Sequence, residues 1–186
     1  MARTPSNMLA LGTKAPNFNL PNTVDEKMCS FSNIQGENGT VVMFICNHCP
    51  YVMHVFYGIT LLANDYLKQG IGFVAISSND VENYPDDSPE LMKQVALDQG
   101  FSFPYLYDES QEVAKAYDAA CTPDFYLFDN KHSLVYRGQM DDSRPKNDIP
   151  VTGKDLRSAL DAMLSGAPID LLQKPSLGCN IKWKVS

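Results

Sequence analysis

Apolar residues along this chain fall into short unbroken blocks and longer stretches with helical spacing. Thr40 to Ile45 and Ile71 to Ser77 are apolar and rich in β-branched residues, the pattern of strands buried on both faces. Between them, Val52, Val55, Phe56, Ile59, Leu62, Ala63 and Tyr66 recur at helical spacing over Tyr51 to Gln69, with Gly70 placed to cap that helix. Ser88-Pro89-Glu90 supplies an N-cap hydroxyl, a first-turn proline and an acidic residue, so it predicts a second helix ending at Gly100.

Elsewhere the pattern is shorter. Ala15 to Pro21 alternates between prolines as an edge strand, with Met28 to Phe31 as its partner. Tyr105 to Tyr107 precedes a short helix near Gln111 to Asp118, and Asp124 to Asp129 and Leu134 to Met140 flank a polar turn as a hairpin. Thr152 to Asp155 resembles a capping box opening a helix that stops at Gly166. In the tail, Cys179, Ile181 and Trp183 alternate with polar residues, which places that cysteine and tryptophan on one face of an extended segment. The order predicts an α/β fold: a central mixed β-sheet flanked by helices, with an N-terminal β-hairpin extension and a C-terminal tail. No repeat or linker divides residues 1–186, so a single domain is expected, with 167–186 as an extension packed on it.

Charge narrows the partners. A formal net charge of -7 disfavours nucleic acid and anionic membrane, and points to neutral or basic partners. No apolar run suits a signal peptide or a membrane span, so a cytoplasmic protein is expected. Of the five cysteines, Cys46 and Cys49 stand two residues apart at a predicted strand-to-helix junction, and in a reducing compartment chemistry is the better use for such a pair. A helix N-terminus stabilises a thiolate, so Cys46 is expected to attack a substrate disulfide and Cys49 to resolve it by closing Cys46–Cys49. His48 would lower the Cys46 pKa further and make the couple more oxidising, by roughly 30 to 90 mV relative to thioredoxin near about -270 mV. Pro50 cannot donate a backbone hydrogen bond and disfavours helical geometry at Cys49, which places the helix start close to it.

These motifs carry a resemblance. Gly12 to Leu20, Cys46-Asn47-His48-Cys49-Pro50-Tyr51-Val52 and Gly178 to Trp183 resemble the thioredoxin superfamily, in particular its peroxiredoxin-like branch of alkyl hydroperoxide reductase and thiol-specific antioxidant proteins. The resemblance implies a thioredoxin-like fold and a thiol-disulfide oxidoreductase, with thiol-dependent peroxidase as the alternative. It implies a cis Pro123, with Thr122 offering its backbone to an extended substrate by strand addition and Asn47 also meeting substrate. Protein or small-molecule disulfides and thiols would be the partners, and the thioredoxin or glutathione system the electron donor. If Cys49 is laid on the peroxidatic cysteine, Cys46 replaces the family's Thr or Ser and Val42 its proline, with Arg137 or Arg144 as stand-ins for the arginine. Thioredoxin's buried acid corresponds to Thr40, so another carboxylate or water must accept the proton.

The remaining cysteines read mostly as packing. Cys179 is a candidate third redox cysteine if the tail folds over the pair, but a buried thiol packed with Trp183 is the commoner role. Cys121 lies near the expected cis-proline, Cys29 belongs to a strand, and His54 and His132 read as surface residues. No metal or other cofactor is expected beyond the Cys46–Cys49 disulfide. One Cys-x-x-Cys lacks the second pair of a closed zinc site, and a copper site would have to recruit Met53 or His54.

Overall fold

The computed structural model describes residues 3–185. In chain order the elements are β1 (Arg3–Pro5), β2 (Asn19–Pro21), β3 (Met28–Ser30), α1 (Phe31–Ile34), β4 (Gly39–Phe44), α2 (Pro50–Leu67), β5 (Ile71–Ser77) and α3 (Pro89–Asp98). There follow β6 (Tyr105–Tyr107), α4 (Glu112–Ala116), β7 (Cys121–Thr122), β8 (Asp124–Asp129), β9 (Leu134–Gly138), α5 (Lys154–Ser165) and β10 (Leu177–Asn180). The fold is thioredoxin-like: a mixed sheet ordered β6-β5-β4-β8-β9, in which the first three strands are parallel and β8 and β9 antiparallel.

Alternation along β4 divides the core. Val41, Met43 and Ile45 face the apolar sides of α2, α3 and α5, while Val42 and Phe44 face Phe18, Leu20, Phe31, Tyr117 and Tyr126 on the other side of the sheet. Both faces are therefore covered, as the unbroken apolar runs of β4 and β5 require. The site lies where β4 ends and α2 begins, at the carboxyl edge of the parallel strands.

Several expectations need correction. The predicted strand over 15–21 forms only at β2, because the chain entering it runs along the turn before β9: Lys14 bridges Ser133 and the Ala15 N–H donates to the His132 carbonyl. The expected capping box at Thr152 does not form. Gly153 is the N-cap of α5 with φ 71, and Asp141 Oδ2 accepts from the backbone N–H groups of Thr152 and Gly153. The tail alternation also fails, since Cys179 and Ile181 are buried while Trp183 is 40% exposed, so Cys179 does not pack in a core with Trp183. The strand β1 and the short α1 have no counterpart in the sequence reading. No helix among the described residues is long and apolar enough to cross a membrane.

Candidate active site

Pro50 sets the local geometry. It occupies the first position of α2, and Cys49 before it is extended, with φ -74 and ψ 121, which makes Cys49 the N-cap residue. The positive end of the helix therefore falls on Cys49 rather than Cys46. The Cys49 Sγ lies 2.7 Å from Cys179 Sγ and close to the Cys46 thiol and the backbone N–H groups of Val52 and Cys179, all of which favour its ionised form, while the Val52 N–H itself bonds to the Cys49 carbonyl. These donors outweigh the burial that opposes ionisation and bring the Cys49 pKa down to about 5.

Cys46 has the opposite surroundings. Its hydrogen bond to Cys49 favours the thiol form, burial adds to this, and the Asp87 carboxylate repels a second negative charge, so its pKa is raised well above the ordinary thiol range. Thr122 Oγ1, at 3.3 Å, opposes this only in part. These surroundings favour a thiolate on Cys49, between two thiol donors, over one on Cys46, where the sequence places it. Cys179 is one of them, and burial together with the Cys49 anion pushes its own pKa up to about 12.

Asp87 is the residue that the sequence reading missed. It is fully buried, accepting from the Asn47 N–H at 2.7 Å, the His48 N–H at 3.3 Å and Asn79 Nδ2 at 2.7 Å. It lies in a 3-10 turn, Pro85–Asp87, just before the helix-capping Ser88. An N-cap and proline at 88–89 were legible signals of a helix start, but nothing local marked the preceding carboxylate as a partner for residues forty positions away. Thioredoxin's acid is absent at Thr40, and Asp87 supplies a carboxylate on the Cys46 side instead.

His48 turns toward Asp87, with a ring nitrogen also within 4.8 Å of the Cys46 sulfur. Its Nδ1 is 2.6 Å from Asp87 Oδ2, yet off the line a good hydrogen bond needs, and its ring stacks on Tyr84 at 5.7 Å. Asn47 is turned inward as well: its side chain donates to the Asp86 carbonyl and accepts from the Tyr105 hydroxyl. Both polar atoms of its side-chain amide are thus engaged within the protein. Replacing Asp87 with alanine would strand three donors and is expected to cost about 3 kcal/mol. For a chain of this length that lowers Tm by roughly 6 to 12 °C; thermal unfolding within about 2 °C of the parent would remove Asp87 from this role.

The Thr122–Pro123 peptide is cis and faces the sulfurs, with the Thr122 carbonyl oxygen 3.4 Å from Cys49 Sγ. The backbone expected to receive an extended substrate is already paired. β10 lies antiparallel to β7 with Cys179 opposite Thr122, and β1 pairs with the far edge of β10. The tail thus takes the strand-addition position and carries Cys179 to the couple. Of the two arginines considered, Arg137 is turned away to the Leu9 carbonyl and Gln173, while Arg144 borders a cleft beside Cys179.

For metal, a Cys46 sulfur, a His48 ring nitrogen and an Asp87 oxygen lie within 4.8 Å of one another. Met53 and His54 do not join them, because Met53 is exposed and His54 Nε2 bonds to Ser143 Oγ at 2.7 Å. Asp87 in this trio already accepts from three protein donors, the Asn47 and His48 N–H groups and Asn79 Nδ2.

Residues 11–137 match the AhpC/TSA family. The chain belongs to the AhpC/TSA family. This AhpC/TSA chain is 59% identical, with TM-score 0.98, to an uncharacterized conserved protein from Geobacillus kaustophilus, covering 100% of this chain and 98% of that one. It is 45% identical, with TM-score 0.96, to a hypothetical protein from Sinorhizobium meliloti 1021, covering 98% and 100% respectively. The thioredoxin domain of a thiol-disulfide oxidoreductase from Bacteroides vulgatus shares the fold at 16% identity and TM-score 0.60, covering 80% and 96%. A search of curated proteins gave no match. Membership in this family supports an oxidoreductase role that uses thiols.

Proposed function

We propose that this AhpC/TSA chain is a thiol-disulfide oxidoreductase that cycles between the Cys46/Cys49 dithiol and the Cys46–Cys49 disulfide. The observation that carries the reading is the Cys49 sulfur at the helix N-cap, 2.7 Å from Cys179 Sγ and with the Cys46 thiol beside it. Cys49 as thiolate attacks a substrate disulfide, forming a mixed disulfide and expelling one substrate thiolate, which takes up a proton. Cys46 then gives up its proton and attacks Cys49 Sγ, closing Cys46–Cys49 and releasing the second thiol. These roles are the reverse of those expected from sequence, because this reading puts the charge on Cys49. The physiological reductant of the disulfide is the thioredoxin or glutathione system, and the site of action is the cytoplasm.

Mixing the reduced chain with one equivalent of a peptide disulfide tests this. Two peptide thiols are expected, with a Cys46–Cys49 disulfide and no other cysteine consumed when Cys179 is replaced by serine. The thiolate at the position that the family resemblance lays on the peroxidatic cysteine favours a second reading, a thiol peroxidase. Rapid sulfenic acid formation at Cys49 with hydrogen peroxide, without turnover of the peptide disulfide, would replace the first reading by the second.

A further inference from the structure

Cys179 reaches the couple by a specific piece of backbone. Its strand β10 is held between β1 and β7, and its sulfur comes to 2.7 Å from Cys49 Sγ, against about 2.05 Å in a disulfide bond. A thiol that served only to fill space would be surrounded by carbon, whereas this one meets the sulfur that carries the charge.

A second observation comes from the surface. Of the three clustered cysteines, Cys179 is the one that borders a cleft, an opening of about 580 Å³ whose walls include Tyr51, Arg3, Arg144 and Lys146. No carboxylate lines it, and none of the three cations is in an ion pair among the described residues. On a chain of net charge -7 this is a local reversal of sign, and it suits an anionic ligand rather than the basic partners that the overall charge favours.

Building on the dithiol-disulfide reading above, we propose that Cys179 is a third redox cysteine: it draws the disulfide from Cys46–Cys49 onto Cys49–Cys179 and exchanges it with an anionic thiol in the cleft. In the first step the Cys179 thiol gives up its proton and its sulfur attacks Cys49 Sγ. The Cys49–Cys179 bond forms as the Cys46–Cys49 bond breaks, and the departing Cys46 sulfur takes the electron pair and a proton, so nothing is oxidised or reduced overall. An anionic thiolate in the cleft then attacks Cys179 Sγ and expels Cys49. Cys49 is the better leaving group of that pair, since a sulfur of lower pKa leaves faster. A second thiolate attacks the external sulfur of the mixed disulfide and releases Cys179, which takes a proton. Two external thiols leave as one disulfide, and the chain returns to its reduced form.

The test uses the whole chain oxidised with diamide, with disulfides located by peptide mapping and reduction followed with glutathione or with the neutral thiol 2-mercaptoethanol. Cys46→Ser is expected to form Cys49–Cys179. Cys179→Ser and Cys179→Ala are both expected to form Cys46–Cys49 but to be reduced by glutathione about tenfold more slowly than the parent. Lys146→Glu is expected to slow glutathione by about threefold or more and 2-mercaptoethanol much less, because only glutathione carries carboxylates besides its reacting thiolate. A Cys46→Ser chain without the Cys49–Cys179 bond, or Cys179 variants reduced at the parent rate, would overturn the proposal. Failure of the underlying reading has a different signature, the absence of a Cys46–Cys49 disulfide in Cys179→Ser, and it removes this inference as well.

Discussion

Cys49→Ser is expected to lower turnover of a peptide disulfide by at least about 10³-fold, the scale on which removal of a catalytic nucleophile acts. The cause is electrostatic. The Val52 and Cys179 N–H groups and the Cys46 and Cys179 thiols all converge on Cys49 Sγ, and no comparable set of donors serves Cys46. Ultraviolet absorbance of the thiolate should show one cysteine ionising near pH 5 in the parent, and this step should disappear in Cys49→Ser. The folded pKa is below the unfolded one, so the thiolate contributes stability that is fully present above the ordinary thiol pKa. That contribution is lost as pH falls toward about 5. With both Cys46→Ser and Cys179→Ser in place, a mixed disulfide with substrate should persist on Cys49. Its accumulation on Cys46 in a chain lacking Cys49 at undiminished rate would restore the role expected from sequence.

Gly178→Ala should be among the most destabilising single substitutions in the chain. A β-carbon at this position would overlap the Thr122 carbonyl group and press on Pro123 Cδ, and the overlap is with backbone, which no change of rotamer relieves. Either β10 moves away from β7 or the cis-proline loop moves away from the couple. Overpacking of this kind is expected to cost about 3 kcal/mol, or a fall in Tm of roughly 6 to 12 °C. The movement also withdraws the Cys179 donors from Cys49, so the Cys49 pKa should rise from about 5 toward the ordinary thiol value. Unchanged melting together with an unchanged thiolate pKa would show that the strand is not held in this register.

The parts of this molecule written in local pattern were legible. The apolar blocks of β4 and β5, the spacing of α2 between them and the Cys-x-x-Cys at their junction place the couple at a strand-to-helix turn. Even the helix start at Pro50 follows from the missing N–H and the restricted residue before it. The consequence for the sulfurs was harder to see. Because Pro50 begins the helix, the N-cap is Cys49, and the charge moves three residues from where a helix beginning at Cys46 would put it.

What was not legible depends on distant pairing. Asp87 is indistinguishable in sequence from the acidic residues around it, and its role arises only when the turn before α3 packs under residues 47 and 48. Alternation in the tail suggested that Cys179 and Trp183 share a face. The strand ends at Asn180, however, and Lys182 then bonds through its backbone to Asn79 and Asp80, so the period of two is broken before Trp183. β1 is a polar triplet held to β10 by backbone hydrogen bonds, and a three-residue strand of that kind leaves no hydrophobic pattern to read.

The proposed chemistry depends on one bond, between Cys46 and Cys49. Its most direct test is a redox titration of the Cys179→Ser chain in glutathione buffers, with free thiols alkylated and counted residue by residue. Cys46 and Cys49 are predicted to be lost together as a two-electron couple, at a potential less negative than about -270 mV because the Cys49 thiolate stabilises the reduced form. Cys46 and Cys49 remaining independently alkylatable at every potential would contradict the account.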